Sequence, residues 1–116
     1  MHKWLDKLGQ WFYLILDNKP LFITQIVEDA PDVLEDKNIY LIGDNQQPWV
    51  ASFLCPCGCK EVVSLSLIPT DRPRWKVSIN KSNLITLHPS IRRIKGCRSH
   101  FFIREGRLLW AKNYRQ

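Results

Sequence analysis

Two short stretches hold the side chains best suited to chemistry: Cys55-Pro56-Cys57-Gly58-Cys59 and Cys97-Arg98-Ser99-His100. They contain all four cysteines of the 116-residue chain and one of its three histidines. Thiolates are soft, strongly donating ligands, and four of them at the corners of a tetrahedron satisfy a zinc ion. A tight turn has to aim several side chains at one point, and Pro56 and Gly58 supply bends of that kind. Cys97 arrives from far along the chain, so a shared ion would cross-link the middle of the protein to its C-terminal part.

Two ligand sets fit this spacing. In the preferred one Cys55, Cys57, Cys59 and Cys97 bind Zn2+ in a closed structural site and leave His100 free. In the other, Cys97 and His100, spaced C-x-x-H, join two of the turn cysteines, and an open position there would allow zinc-assisted hydrolysis. An iron–sulfur cluster and four reduced thiols without metal are the remaining readings. Two disulfides would instead require an oxidising compartment. The apolar run at 11–16 is short for a signal core, follows Asp6, and leads to no small-residue cleavage site. It is also far below the length that crosses a bilayer. The expectation is a cytoplasmic protein with reduced thiols and no transmembrane segment.

The elements that must position these residues follow from periodicity. Residues 3–16 place Trp4, Leu5, Leu8, Trp11, Phe12 and Ile15 at helical spacing, which predicts an amphipathic helix stopped before Pro20. Beyond it the pattern becomes β. Strands are expected over 21–27, 38–42, 49–54, 61–67, 75–79, 84–88, 100–104 and 107–111, with an acidic Pro-containing connection at 28–36 in which residues 31–34 could make one helical turn. The strand at 49–54 runs straight into Cys55, and Pro89 is expected to end the strand at 84–88 before Ser90. The fold class read this way is α+β: one domain over 1–116, with a helix within 1–19 and a mostly antiparallel, β-rich zinc-binding core over 21–112.

The net charge of +6 conceals an asymmetry. Residues 1–61 carry −4 and residues 62–116 carry +10. A basic half of this kind attracts nucleic acid, acidic lipid or an acidic protein partner, or it is a solvated face balanced by the acidic half.

The order of three motifs narrows the possibilities. Cys55-Pro56-Cys57-Gly58-Cys59, then Leu87-His88-Pro89-Ser90-Ile91, then Cys97-Arg98-Ser99-His100-Phe101-Phe102-Ile103-Arg104 with Trp110, resembles a bacterial family first filed as a domain of unknown function and since called BubE, whose genes accompany ubiquitin-like conjugation operons. The resemblance covers roughly residues 38–112, and it departs from the family at Lys60, where a glycine is usual. It implies a serine peptidase acting on a ubiquitin-like protein. A serine needs a neighbouring base to become a useful nucleophile. Ser99 and His100 are adjacent, so on a strand they point to opposite faces and make a poor pair. Ser90 with His100 as its base is the better arrangement, and His88 is an alternative base. Each residue also has an ordinary reading: Ser90 as a turn or cap hydroxyl, Ser99 as a hydrogen-bond partner of a sulfur, His100 as ligand or core residue.

Two functions are therefore expected to compete. One is a zinc-stabilised serine peptidase that processes or deconjugates a bacterial ubiquitin-like protein, with Ser90, His100 and Ser99 as catalytic candidates. The other is a non-catalytic basic zinc module for nucleic acid or a protein, built on Trp75, Phe101, Phe102 and Trp110 among the arginines.

Overall fold

The computed structural model of the protein describes residues 22–44 and 46–111. These residues form eight strands: β1 Ile23–Val27, β2 Asn38–Gly43, β3 Pro48–Leu54, β4 Val62–Ser66, β5 Lys76–Ile79, β6 Ile85–Arg92, β7 His100–Arg104 and β8 Arg107–Trp110. They make two four-stranded sheets, β1-β2-β3-β4 and β5-β6-β7-β8, each in sequence order. The α+β expectation is thereby corrected: the described residues are all-β, with no helix among them. Runs of β-branched, aromatic and apolar residues favour strands across this region, and residues 32–33 form bends instead of the expected helical turn at 31–34. The amphipathic helix expected at 3–16 lies outside the described residues.

Every pairing except one is antiparallel. β1 runs parallel to β2, because the 28–37 connection is long enough to return the chain to the same end of the sheet. The two sheets bury one shared core. Ile39, Leu41, Ala51, Phe53, Val63 and Leu65 come from the first sheet, and Ile85, Leu87, Ile91, Phe101 and Ile103 from the second. Phe53 stands at the centre, edge-on to Phe22 at 6.4 Å and to Phe101 at 6.3 Å between ring centroids. Such pairs add to the stabilisation that burial alone provides. Backbone bonds also cross between the sheets: Phe22 N–H donates to Gly106 O, and Trp75 N–H donates to Ser66 O, both at 2.8 Å.

One irregularity matters for the site. Leu87 pairs with Ile103, yet Ile91 pairs with Phe101, so His88, Pro89 and Ser90 stand against the single residue Phe102. Pro89 was expected to end this strand, but β6 continues through it to Arg92. Proline is tolerated here because the bulge asks nothing of its missing N–H. The His88–Pro89 peptide is cis.

Replacement of Phe53 by alanine is expected to lower stability by about 3–5 kcal/mol, through lost burial and the cavity left behind. Val33→Ser, at a residue 76% exposed, should change it by less than about 0.5 kcal/mol. Urea unfolding monitored by tryptophan fluorescence compares the two.

Candidate functional site

The cysteine turn leaves β3 at Leu54 and returns into β4 at Val62. Cys55 N–H donates to Glu61 O at 2.8 Å, and Gly58 N–H to Cys55 O at 3.3 Å. Lys60 closes the turn at φ 69°, the left-handed conformation that glycine adopts at least cost. Cys97 comes from the β6–β7 connection, where Arg98, also left-handed at φ 55°, lets Cys97 and Ser99 face the same way. All four Sγ atoms lie within 4.8 Å of one another. Cys55 Sγ is 3.5 Å from Cys57 Sγ and 3.6 Å from Cys97 Sγ. No disulfide links them, and all four are free. A tetrahedron of thiolates around zinc has sulfurs about 3.8 Å apart, given Zn–S bonds of about 2.3 Å. The cluster therefore fits a metal ion, with Cys55 buried and Cys59 exposed at its two extremes.

The surroundings favour negative charge on sulfur. Ser99 is fully buried, and its Oγ lies 3.1 Å from Cys97 Sγ and 4.0 Å from Cys55 Sγ. Arg93 Nη1 approaches Cys97 Sγ at 3.6 Å and Cys59 Sγ at 3.9 Å, while its Nη2 holds Glu61 Oε1 at 2.7 Å. Gly96 leaves the space for that ion pair, since a Cβ there would stand 3.0 Å from Glu61 Oε1. Burial opposes ionisation of Cys97, but hydrogen bonds from the hydroxyl and backbone N–H of Ser99, and from Cys57 and Cys55, outweigh it and bring the thiol down to about 6. Burial pushes Cys57 up to about 12, against a backbone hydrogen bond from Cys59. Without a cation, the cluster thus concentrates its thiolate character on Cys97.

A second group of residues occupies the outer face of the β5–β8 sheet. Ser90 Oγ and His100 Nε2 are 3.0 Å apart. Ser90 sits in the bulge opposite Phe102, and His100 is its diagonal neighbour across the strand pair. His100 stacks on Phe102 (6.0 Å, 28°), and Arg104 covers the Phe102 ring at 4.9 Å. The Trp75 indole N–H donates to Ser90 O at 3.2 Å, which pins the bulge from the β5 side. His100 Nδ1 is buried with no partner among the described residues. Asp71, the only aspartate of the basic half, instead accepts from Ser66 Oγ at 2.6 Å. The group is a serine–histidine pair with no carboxylate behind the imidazole among the described residues.

The candidate residues thus fall into two places. Ser90 and His100 meet, whereas Ser99 faces the sulfurs, back to back with His100 as strand alternation requires. His88 is exposed and makes no side-chain hydrogen bond among the described residues. Of the aromatic residues considered for stacking with nucleic acid, Phe101 is in the core, Trp75 is tied to Ser90, and Phe102 lies between His100 and Arg104. Sequence reasoning did not single out Arg93, Glu61, or the parts that Trp75 and Phe102 play here. These are contacts between residues 15 to 32 positions apart or within the bulged strand pair, and no local pattern marks them.

No curated protein and no solved structure matches the chain. Among the described residues there is no helix long and apolar enough to cross a membrane. The family model described as "Bacterial ubiquitination-like system serine protease (BubE)" matches residues 26–111, a span that includes both cysteine stretches, the bulge of β6 and the Ser90–His100 pair. The chain belongs to the BubE family of bacterial ubiquitination-like system serine proteases.

Proposed function

We propose that this protein is a zinc-stabilised serine protease that processes or deconjugates a bacterial ubiquitin-like protein, with Ser90 as nucleophile and His100 as its base. The observation that carries the reading is the 3.0 Å approach of Ser90 Oγ to His100 Nε2 on the outer face of the β5–β8 sheet. For Nε2 to accept the serine proton, the neutral imidazole must carry its hydrogen on Nδ1. As the proton moves, Ser90 Oγ attacks the carbonyl at the modifier's C-terminal residue. His100 then returns the proton to the leaving group, and water repeats the sequence on the acyl-enzyme. The bulge leaves Pro89 and Ser90 without register partners in β5 and β7, and a backbone N–H of this irregular segment would meet the developing oxyanion. Stacking on Phe102 fixes the plane of the imidazole, a task that a carboxylate performs in a triad.

Cys55, Cys57, Cys59 and Cys97 would hold the zinc. A structural zinc of this kind would supply a cross-link between the β3–β4 turn and the start of β7. Ser99 acts as a positioning residue that hydrogen-bonds the ligand sulfurs. The same reading treats residues 1–116 as a single domain.

Three outcomes test this. With a ubiquitin-like precursor carrying a C-terminal extension, Ser90→Ala and His100→Ala should each reduce kcat/KM by about 10³-fold or more, and the double variant should be no worse than either alone. Cleavage within tenfold of wild type by Ser90→Ala would sink the mechanism. Ser99→Ala should keep the cleavage machinery but lose zinc to a chelator with affinity lowered about 10- to 100-fold.

The third outcome concerns pH. The folded-state value of Cys97, about 6, lies below its ordinary 9.0. Its contribution to stability is therefore full above about pH 9 and is lost as pH falls through about 6. Metal-free protein should gain thermal stability between these limits, and Cys97→Ser should flatten the slope in a melting series.

A further inference from the structure

A groove of about 330 Å³ runs between the edge of β4 and the chain that follows β6, with Val62, Ser64, Trp75, Arg92 and Lys95 among its walls. β4 is the last strand of its sheet. Cys55 N–H donates to Glu61 O and Leu67 N–H donates to Trp49 O, so the odd-numbered residues of this stretch face β3. Alternation in an antiparallel ladder then directs the backbone groups of Val62, Ser64 and Ser66 outward. Ser66 O is taken by Trp75 N–H. Val62 and Ser64 keep their outward N–H and C=O groups with no partner among the described residues. An edge of this kind is a template for another strand.

The groove also has a sign and a destination. Arg92 and Lys95 are exposed and make no ion pair among the described residues, whereas Arg93 beside them is spent on Glu61. Trp75 lines the groove and donates to Ser90 O, and Arg92 lines it and pairs in register with His100. The open edge therefore leads to the serine–histidine pair.

We infer that the open edge of β4 and the groove beside it bind an extended, acidic peptide segment as an added strand, namely the tail of the substrate leading to its scissile carbonyl. The inference rests on the proposed serine protease reading for the identity of that segment. Main-chain pairing with Val62 and Ser64 supplies affinity that is indifferent to sequence, and carboxylates facing Arg92 and Lys95 supply the preference.

The test is binding, read by fluorescence anisotropy on the full chain carrying Ser90→Ala, so that it does not depend on which residue does the chemistry. The probes are a fluorescein-labelled peptide of alternating glutamate and valine and its lysine–valine counterpart. The acidic peptide should bind at least about tenfold tighter than the basic one. Ser64→Pro removes an outward N–H and no bond to β3, so it should weaken binding by about tenfold or more relative to Ser64→Ala. Both variants lose the 2.9 Å contact of Ser64 Oγ with Ser52 Oγ, which cancels in the comparison. Arg92→Glu with Lys95→Glu should reverse the preference between the peptides, and this arm carries the test if Ser64→Pro fails to fold by circular dichroism. Equal binding of the two peptides, no binding of either, no difference between Ser64→Pro and Ser64→Ala, or displacement of the acidic peptide by a single-stranded oligothymidylate would each overturn the inference. Loss of cleavage in Ser90→Ala alongside indifferent peptide binding would leave the serine mechanism standing and remove the groove.

Discussion

Four sulfur atoms drawn within 4.8 Å of one another from two different sheets are the constraint on which the arrangement of this protein turns. The β3–β4 turn belongs to the first sheet and the Cys97–Ser99 segment to the second. Their meeting sets where β7 begins, and β7 begins at His100. The core between the sheets holds the same relationship from the inside, through Phe53 and Phe101. Two independent restraints, one apolar and one made of sulfur, thus act on a single strand. Its two faces divide the labour: Phe101 and Ile103 pack inward, and His100, Phe102 and Arg104 line the outer face.

Electrostatics at the cluster and at the serine–histidine pair are kept apart by that same strand. Ser99 serves the sulfurs and His100 serves Ser90, although the two are neighbours in the chain. Arg93 balances the cysteine side and is itself held by Glu61. That separation lets the sulfur cluster and the serine–histidine pair keep different partners within a few residues of one another.

Much of this was legible in the sequence. The strand at 75–79 announced itself through period-two alternation, others through β-branched, aromatic or apolar runs, and the turn at Cys55–Cys59 through the density of ligands around Pro56 and Gly58. The opposition of Ser99 and His100 follows from alternation alone. The expected α character came from residues 3–16, whereas the described chain is built from strands only. Pro89 was misleading because proline breaks a ladder only where its N–H is needed, and in the bulge it is not. The parallel pairing of β1 with β2 depends on how a ten-residue connection turns back, which local residue preference does not encode. The left-handed backbone of Lys60, at φ 69°, was not legible either, because a lysine adopts it at a cost that glycine would avoid.

The bulge in β6 carries a consequence for how such a site can change over time. Three residues standing against one add an even number to the strand, so Leu87 and Ile91 both remain buried on either side of it. A pair of residues could be gained or lost there without disturbing what the core receives. Loss of a single residue would instead turn every later side chain of β6 over, exposing Ile91 and burying Arg92. The core is blind to the length of this segment in steps of two, while the reach of Ser90 toward His100 depends on it directly. The strand therefore offers a place where the outer face can be retuned in discrete steps beneath an unchanged interior.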